Sequence, residues 1–458
     1  MKTNCHLDYG SILHGRAEVV HLAISFRAEK QNSGREQPFA FGLVIDNSGS
    51  MGGNALDQAK VAAKMVLSNL REDDSIALVV FSDSARTIIP LQTGKNRAAL
   101  HAQIDEIQTE GSTNLMAGWM LGRDELAKAP GGIPRKLLLL TDGHLNQGIA
   151  SLGQIVPLIG DGLKTEQIRT SCLGFGDYYN EDLLATISTV GTGAMHDATV
   201  PEAFQKIFMQ ELQSLQALSV QNLRVRLRKL DYCDRFGVVS SYPVLERPEG
   251  VFEITVGDLV SDEERVLVLV LEVLSLPLMG DGSPVASLEG EALLDLEILY
   301  DEITEEGVHS RVEQRTIRIS AVQNPADVVR NGQAVRWVAN QEVGRMMMAA
   351  ILERDRGDEL VVRERIRRTK EKLEGYGMEK ATEEALETLR IFEKKVVTWD
   401  LRNRKEARQY SAMSTMTSSY FEAAPLKDES GVPKSKSPSP RRKRPSTPPA
   451  TSPLDPAP

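Results

Sequence analysis

Between residues 39 and 217, short apolar runs alternate with amphipathic segments of helical length. Strands that alternate with helices in this way form a mostly parallel sheet covered by helices on both faces, because each crossover helix packs back onto the sheet. We therefore predict an α/β domain over 39–217. Its strands are predicted at 39–46, 75–82, 136–141 and 168–175, and its helices at 55–70, 96–107, 114–128 and 151–164.

The rest of the chain follows other periodicities. From 218 to 323, apolar residues alternate with polar ones in NLRVRLRK or run continuously in RVLVLVLEV, which predicts an antiparallel β-sandwich with a central strand buried on both faces. Residues 1–38 contain a further strand, AEVVHLAISFR, which is expected to pair with this sandwich. From 324 to 405 the apolar residues return to helical spacing and predict a helical segment.

The last segment, 406–458, ends in KSKSPSPRRKRPSTPPATSPLDPAP, which is rich in proline, serine and basic residues. Such a composition cannot bury enough apolar surface to fold, so we predict a disordered tail. Its Ser-Pro and Thr-Pro steps beside RRKR suggest a kinase as one partner or a basic docking segment, and a solvated tail is the simpler interpretation. The arginine stripe of NLRVRLRK is compatible with a polyanion contact, although a solvated strand face is the favoured interpretation.

Length and composition exclude several classes of protein. At 458 residues the chain is too long for one hydrophobic core, and its net charge of -10 with a pI near 5.4 argues against general nucleic-acid binding. Its 3 cysteines are far apart and form no CxxC pair, so we expect neither a zinc site nor disulfide bonds. We find no secretory signal pattern and no apolar run of about 18 residues, and therefore expect a cytoplasmic protein with no transmembrane segment.

Oxygen-bearing side chains follow the first strand of the predicted α/β domain. In FGLVIDNSGSMGG the apolar run ends at Asp46, and Ser48 and Ser50 follow within a glycine-rich turn. Glycines let the backbone curl around a small object. Oxygen ligands of mixed charge suit a hard divalent cation such as Mg²⁺, which takes a few protein oxygens and completes its shell with water or a ligand.

Two further motifs offer oxygen ligands at the same edge of the sheet. EGSTNL places the hydroxyl of Thr113 between a glycine and a predicted helix start, and LLLLTDG places Asp142 at the end of another strand. Ligands of open α/β sheets lie beyond the carboxyl ends of the strands, where both aspartates are expected.

Together these motifs resemble the metal-ion-dependent adhesion site of the von Willebrand factor type A (VWA) domain, a Rossmann-like fold. Asp46, Ser48 and Ser50 match its D-x-S-x-S motif, Thr113 its G-[ST]-T loop, and Asp142 its T-D-G step. The resemblance implies that these five residues hold Mg²⁺, with Mn²⁺ or Ca²⁺ as alternatives, directly or through water. It also implies that one coordination position is left for an Asp or Glu carboxylate of a protein partner.

The order of the segments carries a second, looser resemblance. A strand, the α/β domain, ITVGDLVSDEERVLVLVLEV and terminal helices follow one another. This order is similar to bacterial proteins in which a VWA domain is inserted into a β-sandwich. Those proteins are relatives of the inter-alpha-trypsin inhibitor heavy chain and calcium-activated chloride channel group.

The function expected from these observations is a non-catalytic, intracellular protein-interaction or scaffold module. A Mg²⁺-dependent hydrolase or phosphatase is the alternative. A haloacid-dehalogenase-type phosphatase needs an acid two residues after Asp46, where Ser48 stands, and GSMGGNAL lacks the lysine of a P-loop. SGSMG lacks the first glycine of G-x-S-x-G, and His144 is a lone candidate base. A metal that only stabilises the fold is a third hypothesis.

Overall fold

The computed structural model describes residues 1–29, 37–143, 148–149, 151–276, 290–304 and 307–416. His144 and the tail beyond 416, both discussed above, lie outside the described residues. The chain begins with three strands, β1 (Lys2–Leu7), β2 (Ser11–Leu13) and β3 (Glu18–Arg27).

An α/β unit follows, and its core strands are almost entirely buried. The six-stranded sheet has the order β6-β5-β4-β7-β8-β9, and every neighbouring pair is parallel except β5 and the edge strand β6. The α/β prediction is confirmed. The elements are β4 (Ala40–Asp46), α1 (Asn54–Asn69), β5 (Ser75–Phe81), β6 (Ala85–Thr93), α2 (Arg97–Asp105), α3 (Leu115–Ala127), β7 (Arg135–Thr141), α4 (Leu152–Glu166), β8 (Ile168–Phe175), α5 (Glu181–Val190), β9 (Thr192–Ala198) and α6 (Ala203–Gln216).

Two glycines let α3 lie unusually close to this sheet. A Cβ atom on Gly118 would stand 2.5 Å from Phe81 Cδ1, and one on Gly122 would stand 2.5 Å from Val44 Cγ2. Real side chains cannot approach so closely, so both positions require glycine for the observed packing. Because Thr113 lies two residues before the first residue of α3, this close packing also fixes where the Thr113 loop meets the sheet.

The next strands form a β-sandwich that includes the three strands from the start of the chain. One sheet has the order β1-β3-β14-β11 and the other β12-β13-β10-β15-β16-β2. Leu22 of β3 lies opposite Leu269 of β14, so the α/β unit is inserted between two parts of one sandwich. The strands after the insertion are β10 (Leu218–Lys229), β11 (Cys233–Val238), β12 (Val244–Arg247), β13 (Val251–Val260), β14 (Glu264–Val273), β15 (Glu291–Thr304) and β16 (Gly307–Val322).

Two arginines of the β10 stripe are paired with acids on the neighbouring strands. Arg226 forms ion pairs with Glu253 at 2.7 Å and with Glu297 at 3.0 Å, and Arg228 pairs with Asp295 at 3.1 Å. These cross-strand pairs offset the positive charge of the stripe. The face is therefore an ion-paired, partly exposed sheet surface, in line with the solvated-face interpretation.

Four helices end the described chain: α7 (Gly332–Asp355), α8 (Glu359–Gly375), α9 (Glu379–Val397) and α10 (Leu401–Met416). Helix α7 packs on β3 and β14. None of the helices in the described ranges combines the length and the apolar character needed to cross a membrane. Residues 406–416, assigned to the disordered tail from composition, belong to α10 instead. Composition failed here because the side chains that 406–416 buries, among those described, are small or polar and not large and apolar, namely Ala407, Arg408, Ser411, Ala412 and Thr415.

Helix α10 contacts the α/β unit, helix α7 and the β-sandwich, and basic side chains make the first two of these contacts. Arg404 forms ion pairs with Glu181 and Asp182 at the start of α5 and with Asp355 at the end of α7. Lys405 Nζ donates to the Tyr179 carbonyl oxygen at 3.1 Å. At the other end of the helix, the Thr415 carbonyl oxygen accepts a hydrogen bond from the backbone N–H of Ser241 in the sandwich, at 3.2 Å.

A buried histidine connects the sandwich to the helices. His21 on β3 is 3% exposed, and its Nδ1 lies 3.0 Å from Asp8 Oδ2. Its Nε2 lies 3.6 Å from Glu342 of α7, which also pairs with Lys372 of α8 at 2.9 Å. Burial alone would lower the pKa of His21, but the hydrogen bond to Asp8 and the nearby Glu342 carboxylate outweigh burial and raise it. Histidinium at this position therefore stabilises the junction.

We expect this histidine to make the free energy of unfolding depend on pH. A pKa raised by folding adds stability that is complete below the unfolded value of about 6.5 and is lost as the pH rises through the folded value. His21→Gln should cost about 1–3 kcal/mol at pH 6 and less at higher pH. Urea unfolding between pH 6 and 9 measures this, with His309→Gln on β16 as the control. A constant loss across the range would contradict the assignment.

Candidate metal centre

The five predicted ligands lie at the carboxyl edge of the parallel sheet. Asp46 ends β4 and is fully buried, Ser48 is buried beside it, and Ser50 is exposed. Ser48 Oγ and Ser50 Oγ lie 3.1 Å apart, and Ser50 Oγ donates a hydrogen bond to Asp142 Oδ1 at 2.8 Å. The D-x-S-x-S turn and the T-D-G step therefore form one cluster of oxygen atoms.

Thr113 joins this cluster from the loop before α3. It is 2% exposed, and its Oγ1 lies 3.2 Å from the position that a Cβ atom on Gly143 would occupy. The hydroxyl of Thr113 therefore contacts the residue that directly follows Asp142. The absence of a side chain at Gly143 leaves the space that the hydroxyl occupies.

Hydrogen bonds fix the orientation of the Asp46 carboxylate. Its Oδ1 accepts from the backbone N–H of Ser48 at 2.8 Å, and its Oδ2 accepts from Thr141 Oγ1 at 2.6 Å. Burial raises the pKa of Asp46 to about 6, although these hydrogen bonds act in the opposite direction. Burial also raises the pKa of Asp142. No basic side chain contributes to either shift within the described part of the chain.

The donor set fits a hard divalent cation. Among the described residues, no group of three or more His, Cys, Asp and Glu side chains is placed to hold a metal ion. A site here therefore depends on hydroxyl oxygens beside two carboxylates. Such neutral and charged oxygen donors are typical of Mg²⁺ and Ca²⁺ sites, and a dication would supply positive charge beside the buried Asp46 and the half-buried Asp142.

Several residues that organise the site were not predicted from the sequence. Asn47 connects the D-x-S-x-S turn to the Thr113 loop, because its Nδ2 donates to the Gln108 carbonyl oxygen at 2.8 Å and its own carbonyl oxygen accepts from the Glu110 N–H at 2.8 Å. Thr141 orients Asp46, as described above. The T-D-G motif contains Thr141, so its hydroxyl beside Asp142 was the available signal.

Comparison with known proteins identifies the α/β unit. The family model of the von Willebrand factor type A domain matches residues 42–213. The uncharacterized protein sll0103 of Synechocystis is 29% identical over 263 residues, which are 54% of this chain and 60% of that protein. The uncharacterized protein YfbK of Escherichia coli is 30% identical over 189 residues, 40% of this chain and 32% of that protein.

An animal relative matches over a shorter region. The inter-alpha-trypsin inhibitor heavy chain H1 of Bos taurus is 30% identical over 172 residues, 34% of this chain and 19% of that protein. The matches therefore span at most 60% of the length of these three relatives. Domains of this family typically mediate protein interactions and commonly bind a divalent metal ion at a metal-ion-dependent adhesion site.

Two solved structures share the fold over most of the chain. The von Willebrand factor type A protein from Catenulispora acidiphila has a TM-score of 0.68 at 16% identity and covers 91% of this chain and 96% of its own. The ArnB paralog VWA2 from Sulfolobus acidocaldarius has a TM-score of 0.60 at 13% identity, and the match covers 91% of this chain and 98% of that one. At these identities the likeness concerns the fold alone, and it extends beyond the α/β unit. The predicted resemblance is confirmed: residues 42–213 form a von Willebrand factor type A domain.

Proposed function

We propose that this protein is a non-catalytic interaction module that captures an acidic side chain of a protein partner through a bound divalent cation, Mg²⁺ in the first place. Asp46, Ser48, Ser50, Thr113 and Asp142 would hold the cation. The observation that carries the proposal is the continuous contact from Ser48 Oγ to Ser50 Oγ to Asp142 Oδ1, at 3.1 and 2.8 Å. Beside it lies the buried Asp46 carboxyl, and no basic side chain contributes to the shift of its pKa.

The charges of this donor set favour an acidic partner group. Two carboxylates bring a dication close to neutrality, and the three hydroxyls add no charge. The cation would then accept a further anionic oxygen at little electrostatic cost. A basic side chain would be a poorer ligand, because it offers a positively charged nitrogen where a hard cation prefers an oxygen donor.

The burial of the ligands leaves one side of the site open. Asp46, Ser48 and Thr113 are buried, whereas Ser50 is exposed and Asp142 is half-buried. A cation held among them would have protein oxygens on its inner side and solvent on its outer side. A partner carboxylate replacing outer water is consistent with that arrangement.

A hydrolytic function has less support from the described residues. The candidate nucleophiles Ser48 and Ser50 contact each other and Asp142, and no histidine hydrogen-bonds to either one in the described ranges. We also propose an intracellular location, which the free thiols of Cys5, Cys172 and Cys233 support, since free thiols are expected in a reducing compartment.

Affinity capture tests the proposed function. The full chain, wild type or Asp46→Ala, is used to capture proteins from a lysate of the native host, in Mg²⁺ and again in chelator. We expect a partner that wild type retains in Mg²⁺ and that is lost both in chelator and with Asp46→Ala. Asp57→Ala is the matched control, because Asp57 is an exposed acid in the first turn of α1. Equal capture under all conditions would refute the metal bridge.

A further inference from the structure

We infer that Asp83 is a positioning residue for the metal centre, because it fixes the loop that carries Thr113. This inference rests on the proposed function. Asp83 lies just beyond the end of β5, in the turn to β6, and its side chain is exposed. An exposed acid in a tight turn usually interacts with water alone, so its specific contacts decide its role.

Asp83 and its neighbour hold the chain on both sides of Thr113. Asp83 Oδ1 accepts a hydrogen bond from the backbone N–H of Ser112 at 2.9 Å. The Ser82 carbonyl oxygen accepts from the backbone N–H of Asn114 at 2.7 Å. The residues before and after Thr113 are therefore both bound to the end of β5. Two fixed neighbours leave the Thr113 backbone little freedom, so its hydroxyl stays directed at Gly143 beside Asp142.

The same carboxylate also covers Gly111, at the start of this loop. Gly111 has φ +51°, and a Cβ atom there would lie 2.2 Å from Asp83 Oδ2. On the other side, the Gly111 carbonyl oxygen accepts from the backbone N–H of Gly49 at 3.2 Å, within the D-x-S-x-S turn. The loop is thus held between Asp83 and the turn that carries Ser48 and Ser50.

These contacts need an acceptor at position 83 rather than a charge. Asparagine keeps an Oδ1 acceptor in the same place, whereas alanine removes it. Residues that orient metal ligands without touching the metal typically contribute about 10- to 100-fold to metal affinity. We therefore expect Asp83→Ala to weaken binding of Mg²⁺ or Mn²⁺ by about 10- to 100-fold. Asp83→Asn should stay close to wild type.

Titration calorimetry of the full chain with Mn²⁺ and Mg²⁺ tests this order of affinities. Asp177→Ala is the matched control, since Asp177 is an exposed acid in the loop after β8 on the same edge of the sheet. Unchanged affinity in Asp83→Ala would overturn the inference and leave the proposed function intact. Equal weakening in both Asp83 variants would also overturn it, because the charge would then matter rather than the acceptor. A wild type that binds neither ion would overturn both proposals.

A second measurement needs no metal. In chelator, Gly111→Ala should lower the melting temperature of the otherwise wild-type protein, because the new methyl group collides with the Asp83 carboxylate. In an Asp83→Ala background the same change should cost clearly less, since the colliding atoms are gone. Additive effects of the two substitutions would show that Asp83 does not cover this loop in solution, and the inference would fail.

Discussion

Replacing Asp46 with asparagine should abolish the stabilisation of the protein by Mg²⁺. In chelator, the same variant should melt at a higher temperature than the wild type. Asparagine keeps the shape of the side chain and an acceptor for the Ser48 N–H, but it removes a charged ligand. We expect affinity for Mg²⁺ to fall by about 100-fold or more, beyond the effect typical of residues that only orient ligands.

The gain in chelator follows from the burial of the carboxylate. Asp46 is 0% exposed, and burial is the largest cause that raises its pKa to about 6. An acid whose pKa is raised by folding destabilises the folded state above that pKa, so the wild type without metal loses stability as the pH rises from about 4 to 6. At pH 7 the asparagine variant should gain about 2 kcal/mol in the free energy of unfolding.

Thermal melts of wild type and Asp46→Asn, each in Mg²⁺ and in chelator, measure both effects at once. Asp57→Asn serves as the control and should follow the wild type, because Asp57 is exposed. An Asp46→Asn variant that still gains stability from Mg²⁺ would show that the ion binds elsewhere. A variant that melts lower than wild type in chelator would show that the buried charge is not a cost.

Arg404→Ala should cause the largest loss of stability among single substitutions of exposed or half-buried charges. Its guanidinium is the shared partner of Glu181, Asp182 and Asp355. The Arg404 side chain is 16% exposed and that of Glu181 is 8% exposed, whereas Asp182 and Asp355 are 31% and 30% exposed, so the cluster is partly buried. Removing the arginine takes away the one side chain that pairs with all three acids, although Arg408 still pairs with Asp182 and Lys405 with Glu181, and we expect a cost of about 2–4 kcal/mol.

The matched control is Arg368→Ala on α8. Arg368 pairs with Glu364 at 2.7 Å, but its side chain is 74% exposed. Exposed pairs of this kind contribute little, so the loss should stay within about 0.5 kcal/mol. Chemical denaturation of the three proteins gives the comparison. Equal losses for the two arginines would mean that α10 is not anchored through Arg404.

The sequence predicts the central strands well and the edge strands poorly, for a physical reason. Strands β4, β5 and β7 are buried on both faces, so they appear as largely continuous apolar runs. Strand β6 lies at the sheet edge, contains Pro90, and alternates exposed with half-buried residues, so ARTIIPLQT gives no comparable signal. Strand β9, at the other edge, consists largely of small and polar residues.

The candidate site shows a similar division. Side chains that stand in a recognisable motif, such as Asp46 and Asp142, could be named because their motifs resemble those of a known metal site. Asn47 and Asp83 could not, because their contacts are with backbone groups of a loop distant in sequence, at Gln108, Glu110 and Ser112. These partners come together only at the edge of the folded sheet. The sequence does not show which backbone groups will need a hydrogen-bond partner there.

The insertion of the VWA domain into the sandwich also fixes an order of events during synthesis on the ribosome. Domains generally fold as units as the nascent chain emerges, and the VWA domain can complete its own sheet once α6, ending at Gln216, has left the exit tunnel. At that stage β3 still lacks β14, and the acids at the start of α5 still lack Arg404. We therefore expect the candidate metal centre to be complete on a nascent chain whose sandwich is only half made, so that the proposed ion and partner would have access to it before synthesis ends.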